Sequence, residues 1–514
     1  MLAGALVTLL AVILDRSELA RILSAQVPSG VRGVTGVSHD SRSVQPGFAF
    51  VAIPGFKRDG IAFVPEALRR GASLVVAERE APNAPTAVVA DARRALAALA
   101  RRVNGDPSAS MEVYGVTGTN GKTTTSYALY SILAGAHGEG ECGLMTTTET
   151  VTAGERRPAV RTTPEATEVQ DRLSAMLVSG VRRVVMEVSS HGVALGRVAG
   201  TRFAGALFTN LTRDHLDLHG SMEEYYAAKR ELFFMTQGPR LANAEDGWGR
   251  RLAREVDGVT TFGGAADADY RVSNVGPAQA GTRFALHHPG GILELETPLL
   301  GSYNVLNIAG AASLALAAGV GGAAVGAAVR SMEQVPGRFE RVATYAEYGF
   351  EVVVDYAHTD VGLEAVLGVA RGVAQAGAPD GGQGRVLCVF GAAGERDVAK
   401  RPKMGRVASR LADLSFITTD DAYAEDPAEI AREVASGADA ARARVELDRR
   451  TAIRQALEEA GAGDVVVVAG KGHERVQHLP DGDVTFHDAS VIGELLEEIG
   501  KKGGRTRLAE ADQE

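Results

Sequence analysis

Residues 115–127 read GVTGTNGKTTTSY, and this run restricts the fold around it more than any other part of the chain. The short β-rich VYGV leads into it, and TTTSYALYSILAGA has the pattern of a helix. Strand, glycine loop and helix in that order are the setting in which a glycine match becomes a phosphate loop. Small residues let backbone N–H groups face an anion, Lys122 adds a mobile positive charge, and Thr123 supplies a hydroxyl suited to Mg²⁺. The common spacing would put a glycine where this chain has Val116, whereas Gly118 and Gly121 bracket only two residues. A nucleotide is expected, and the run by itself leaves the branch of phosphate chemistry open.

Two apolar strands follow, VRRVVMEV with Glu187 at its end and FAGALFTN running into RDHLDLHG. Alternating strands and helices predict a mostly parallel sheet with helices on both faces and ligands at the carboxyl ends of the strands. Beyond an Ala-rich helix in LLGSYNVLNIAGAASLALAAG and a hinge in QVPGRFERV come the strands EVVVDYAH, RVLCVFGAAG, LSFITTDD and DVVVVAGKGHE, the pattern of a second, Rossmann-like α/β domain. Upstream, HDSRSVQPGFAFVAIPGF reads as strand, loop, strand and glycine turn, and the polar NGDPSAS as a linker. The expected fold is α/β in three domains, 1–108, 109–336 and 337–514, which suits 514 residues at roughly 150 per domain. The tail KKGGRTRLAEADQE is expected to be disordered.

Charge narrows the partners. A formal net charge of −10 argues against a general nucleic-acid binder, whose footprint is basic, so local groups must hold any anionic ligand. Cys142 and Cys388 have no metal or redox spacing and fit a reducing cytoplasm. The apolar run MLAGALVTLLAVIL is fourteen residues, short of the about 20 that span a bilayer, and lacks the basic start of a secretory signal. A buried element or an over-long start is expected there, without stable membrane insertion.

Glu187 at a strand end can reach Mg²⁺ on nucleotide phosphates or stand as a surface acid. His191 and His215 read as hydrogen-bonded histidines when taken singly. The group Asp214, His215, Asp217 and His219 suggests a transition-metal site in isolation, and a supporting or Mg²⁺ role from its place after a third parallel strand. In SMEEYYAAKRELFF, Ser221 and Glu224 form a capping-box signature, and Lys229 falls on the apolar stripe of Met222, Tyr225, Tyr226, Leu232 and Phe233. Its stem either snorkels past the core or its amine points into a site, where burial would lower its pKa and free it for carbamate formation.

Taken together, DSRSVQPGFAFVAIPG, TGTNGKTT, RTTPE, EVSSHG, FTNLTRDHLDLHG, AAK, GRFE, VDYAHT, GERDVAKRPKMG, EDP and GKGHE resemble the Mur ligases, in the branch that adds the third residue of the peptidoglycan stem peptide. The resemblance implies a cytoplasmic, monomeric ligase of cell-wall synthesis. ATP, held by Gly118, Thr119, Asn120, Gly121, Lys122, Thr123 and Thr124, would phosphorylate the D-Glu side chain of UDP-MurNAc-L-Ala-D-Glu. The amine of a diamino acid would then attack the acyl phosphate. The resemblance also implies that Lys122, Glu187, His215 and Lys229 are catalytic, with Thr123 and Glu187 on one Mg²⁺ and His215 and a CO₂-derived carbamate on Lys229 (N6-carboxylysine) serving a second. By the same likeness Asn304, Arg338 and Asp355 close over ATP, with His358 assisting, and Ser41, Lys57, Thr162, Thr163, Ser189 and Arg197 hold the UDP-MurNAc-dipeptide. Leu195 stands where some members have a Gln. Closure by hinge rotation is the expected catalytic motion.

Members that use meso-diaminopimelate typically carry Asp-Asn-Pro-Arg, where this chain has Asp420, Asp421, Ala422 and Tyr423. Losing a guanidinium and gaining an acid should favour a bare ammonium, so L-lysine or L-ornithine is expected over meso-diaminopimelate. Arg396 would take the α-carboxylate, with Asp420, Asp421 and Glu474 around the distal amine and Gly470 in the same amino-acid site. The rival readings are a folylpolyglutamate-type or D-Ala-D-Ala-adding ligase, and a nucleotide-gated regulator without turnover.

Overall fold

A computed structural model of the chain describes residues 12–55, 58–214, 216–278, 281–377 and 383–511, with residues 216, 217, 345 and 500–511 described in backbone only. The chain forms two compact units. The first is Met1–Ala278 with Arg283–Glu296 and Val305–Met332, and the second is Gln279–Thr282 with Thr297–Asn304 and Glu333–Glu514.

The first unit begins with a parallel sheet in the order Gly36–Ser38, Phe48–Ala52, Leu74–Ala77, Thr86–Val88. Ala92–Val103 packs Leu96, Leu99 and Ala100 onto the core that Leu14, Val34, Val51 and Val76 share. Of the apolar amino-terminal run, residues 1–11 lie outside the described residues, while Leu14 is buried and pairs with Val34. The segment read as a linker is packed instead. Pro107–Ala109 makes a 3₁₀ turn, Pro107 and Ser108 are buried, and Asp106 pairs with both Arg101 and Arg202. Proline and neighbouring guanidinium groups tie down a stretch whose composition alone suggests a loose connection.

Within the same unit runs the large sheet, whose parallel centre has the order Cys142–Met145, Arg183–Glu187, Glu112–Thr117, Gly205–Phe208, Arg240–Asn243, Val259–Gly263. Every residue of Glu112–Thr117 except Glu112 is buried, the signature of a strand covered on both faces. The Lys122–His137 helix has no polar stripe, because Tyr127, Leu129, Tyr130, Ile132 and Leu133 are all buried. Glu149–Thr152 and Glu155–Pro158 add an antiparallel hairpin at one edge.

In the second unit a six-stranded sheet has the order Glu340–Ala343, Glu351–Asp355, Val465–Ala469, Val386–Phe390, Leu414–Ile417, Ala443–Val445, antiparallel only at its first pair. Alternation along its strands feeds two cores. Val353, Cys388 and Val467 point to one, and Val352, Leu387, Val389, Val466 and Val468 to the other. A run such as VVVVA therefore has no polar face to show. The expected α/β class, with a central P-loop sheet and a carboxyl-terminal Rossmann-like sheet, is what the chain forms. The tail departs from its expectation: Asp488–Ala511 is one helix, and residues 512–514 lie outside the described residues. Among the described residues no helix is long and apolar enough to cross a membrane.

Candidate active site

The phosphate loop sits between the Glu112–Thr117 strand and the Lys122–His137 helix, so its amides lie at a helix N-terminus. Gly118 has φ 153°, and a Cβ there would fall 1.8 Å from Thr209 Oγ1, so any larger residue must displace that hydroxyl and strain the backbone. The loop is sewn to the next strand end. Thr119 N–H donates to Asn210 O at 2.9 Å, Asn120 N–H to Asn210 Oδ1 at 2.9 Å, and Thr209 Oγ1 to Asn120 O at 2.6 Å. Lys122 Nζ folds over the loop, donating to Thr119 O at 2.8 Å and Gly118 O at 3.1 Å. Thr123 and Thr124 are buried in the first helical turn.

Lys229 resolves the choice its stripe left open. The side chain is 1% exposed, and Nζ donates to Gly118 O at 2.7 Å while lying 4.7 Å from the Tyr225 ring centroid. The stem does not snorkel; it ends at the phosphate loop. Burial, and then the positive charge of Lys122, hold its pKa well below the ordinary lysine value, with Asp214 opposing. The Met222–Phe234 helix that carries it is capped by Ser221, whose side chain accepts from Glu224 N–H.

Glu187 is 1% exposed at its strand end. Thr147 holds both carboxylate oxygens, donating from N–H to Oε1 at 3.1 Å and from Oγ1 to Oε2 at 3.3 Å, while its Oγ1 also lies within hydrogen-bonding distance of the Thr162 hydroxyl at 2.8 Å. Thr163 Oγ1 donates to Glu187 O and accepts from Ser189 N–H, both at 3.0 Å. Arg197 reaches Thr163 O at 3.1 Å and Glu165 at 2.7 Å. Thr162, Thr163, Ser189, Arg197 and Glu187 thus form one network. Thr147 escaped the sequence reading, although its place just past the Cys142–Met145 strand, at a carboxyl end, was the available signal. Oxygen donors at Glu187 and Thr123 suit a hard cation such as Mg²⁺.

Other expected residues are placed differently. Ser41 is buried and donates to Glu66 Oε2 at 2.7 Å, while Lys57 and His215 lie outside the described residues. Asn304, Arg338 and Asp355 belong to the second unit and the phosphate loop to the first. There Asp355 accepts from Phe339 N–H at 2.7 Å and Ala357 N–H at 2.8 Å, and burial raises its pKa against the pull of Arg338. Arg338 lies over the Tyr356 ring at 4.5 Å, His358 Nδ1 meets Tyr356 O at 2.8 Å, and Asn304 donates to Leu300 O at 2.8 Å.

The loops expected to take the incoming amino acid also lie in the second unit. Gly470 has φ 115°, and a Cβ there would meet Asp420 Oδ2 at 2.3 Å. Arg396 is exposed over Tyr423 at 5.9 Å, and Tyr423 stacks on His478 at 5.2 Å. The acids are not bare: Lys471 pairs with Asp421 at 2.8 Å and with Glu474 at 3.2 Å. Lys471 lies inside the GKGHE motif, yet nothing in its spacing says that its amine turns inward onto Asp421.

Three family models match this chain. They are Mur ligase family, catalytic domain, over residues 33–108; Mur ligase middle domain over 116–315; and Mur ligase, glutamate ligase domain, over 337–472. The UDP-N-acetylmuramoyl-L-alanyl-D-glutamate–2,6-diaminopimelate ligase of Solibacter usitatus is 43% identical over 478 residues, 91% of this chain and 94% of its own. The Gloeobacter violaceus protein of that name is 40% identical over 477 residues, 91% and 95% of the two chains. A solved structure of a UDP-N-acetylmuramoyl-L-alanyl-D-glutamate–2,6-diaminopimelate ligase matches with a TM-score of 0.66 at 30% identity, covering 94% of this chain and 99% of that one.

Proposed function

The chain belongs to the Mur ligase family, and from that premise we propose that it joins a diamino acid to UDP-MurNAc-L-Ala-D-Glu at the expense of ATP, as the third-residue ligase of peptidoglycan precursor synthesis. The observation that carries this reading is the buried Lys229 amine, 2.7 Å from the Gly118 carbonyl of the phosphate loop. A lysine with a lowered pKa beside the nucleotide loop suits carbamate formation, and a carbamate there supplies an anion for a second cation. In this reading Gly118 to Thr124 orient ATP, and Lys122 offsets the repulsion between phosphate and the substrate carboxylate. Thr162, Thr163, Ser189 and Arg197 orient the dipeptide, with Ser41 and Lys57 assigned to its nucleotide end. Glu187 and Thr123, with His215 and carbamylated Lys229, would hold Mg²⁺, which when bound neutralises charge on the transferred phosphoryl group. Asn304, Arg338 and Asp355 are assigned to ATP, and Arg396, Asp420, Asp421, Gly470 and Glu474 to the amino acid. We keep the boundaries 1–108, 109–336 and 337–514, a monomeric state and a cytoplasmic location as parts of the same proposal.

For the acceptor, meso-diaminopimelate is the first reading, supported by the names of the relatives at 43% and 40% identity. The pairing of Asp421 and Glu474 with Lys471 weakens the case for an acidic pocket reserved for a bare ammonium. L-lysine or L-ornithine remains the second reading, favoured by Tyr423 in the place of a guanidinium. The test is phosphate release with ATP, Mg²⁺ and UDP-MurNAc-L-Ala-D-Glu, given each acceptor separately, with mass detection of the product. Turnover with one acceptor names it, and no turnover with any of the three sinks the proposed function.

A further inference from the structure

The acceptor loops contain a buried cation that the proposed mechanism does not use. Lys471 follows the Val465–Ala469 strand, its side chain fully shielded from solvent. Its Nζ donates to Asp421 Oδ1 at 2.8 Å and to Glu474 Oε2 at 3.2 Å. Neither acid is left to that contact alone. Asp421 Oδ1 also accepts from the His478 amide at 3.0 Å, and Glu474 Oε1 from the Tyr356 hydroxyl at 3.2 Å. Asp420, whose Oδ1 accepts from the Asp421 amide at 2.8 Å, borders Gly470. A second buried cation, Arg449, is paired with Asp488 at 2.7 Å and acts electrostatically on both Asp420 and Asp421.

Three carboxylates therefore act on one shared ammonium, and two of them also on the Arg449 guanidinium. Burial works against the charge on Lys471, but Asp420, Glu474 and Asp421 together hold its pKa above the ordinary lysine value. Away from water such a balance is sensitive to a single unit of charge, because removing one partner leaves the other uncompensated.

We propose that Lys471 is a specificity-determining residue of the acceptor subsite: by occupying Asp421 and Glu474, its ammonium sets whether the subsite favours a lone distal ammonium or a distal centre that carries a carboxylate as well. The inference rests on the reading of these loops as the acceptor subsite. Without Lys471 the acids would draw a free side-chain ammonium, as in L-lysine, into the vacated position. With Lys471 present and Asp421 neutralised, two carboxylates instead of three would act on the ammonium, and a distal carboxylate would be repelled less.

Two substitutions of opposite charge test this. Wild-type enzyme, Lys471→Met, Asp421→Asn and the double variant are given an equimolar mixture of L-lysine and meso-diaminopimelate, and the two products are quantified by mass. Lys471→Met should raise the ratio of lysine to diaminopimelate product by about tenfold or more, Asp421→Asn should lower it, and the double variant should return towards wild type. A purely structural role would lower both products together without opposite shifts. Unchanged ratios, or shifts in the same direction, overturn the inference while leaving the ligase intact; if Lys471→Met fails to fold, an unchanged ratio in Asp421→Asn does so alone. Wild-type enzyme that makes neither product, nor one with L-ornithine, overturns the proposed function and the inference together.

Discussion

At the scale of single residues, the two strongest constraints are steric and electrostatic. Gly118 leaves no room for a methyl group beside Thr209, so Gly118→Ala is expected to distort the phosphate loop and cut ATP-dependent phosphate release by about 10²-fold or more, the scale of a misplaced reacting group. Near-normal turnover in a steady-state assay would refute that. Lys229 makes the second prediction. Its folded pKa lies below the ordinary value because of burial and Lys122, so between the folded and ordinary values the unfolded chain binds more protons than the folded one. Lys229 should make stability rise with pH through that window, by up to about 1.4 kcal/mol per pH unit, and Lys229→Met should remove that contribution from the measured slope. Denaturant titrations at several pH values read this directly. The same variant should lose activity, and bicarbonate should not restore it, because methionine cannot form a carbamate.

At the scale of elements, strand ends and helix starts set up second-layer contacts. Thr147, just past the Cys142–Met145 strand, holds both oxygens of Glu187. Thr147→Val removes the hydroxyl donor at similar volume and should weaken Mg²⁺ affinity by about 10-fold to 100-fold, measured by calorimetric titration of the protein with Mg²⁺ and ADP. An unchanged affinity would leave Thr147 as a packing residue only. In the second unit the Arg449–Asp488 pair joins the starts of the Arg449–Glu459 and Asp488–Ala511 helices, and Arg449 also donates to Ala469 O at 3.0 Å, just before the GKGHE loop. Arg449→Met strands a buried carboxylate and should cost about 3–5 kcal/mol of stability in chemical denaturation, whereas joint replacement of both partners should cost much less.

For the whole molecule, the phosphate loop and Lys229 belong to one compact unit and Arg338, Asp355 and the acceptor loops to the other. Light scattering is expected to return one chain of 53.6 kDa; a mass near twice that value would replace the monomer in our proposal. A nucleotide that binds only the folded chain should raise its stability by about 2.7 kcal/mol at a hundredfold excess over its Kd, seen as a thermal shift with ATP analogue and Mg²⁺.

The sequence by itself determined the elements and the family. Strand-loop-helix order, the glycines at 118 and 121 and the ordered motifs are local signals, and local backbone chemistry suffices to produce them. It also put Lys229 on an apolar stripe, but whether that amine met solvent or a site depended on what the helix packs against. Only the tertiary structure brought Gly118 O to Lys229, residues 111 apart, Thr147 to Glu187, and Lys471 to Asp421. The packed NGDPSAS segment and the pairing of the acids at 421 and 474 with Lys471 were illegible for the same reason. Composition records how polar a residue is, whereas its charge partner is set by which distant strand end the fold lays beside it.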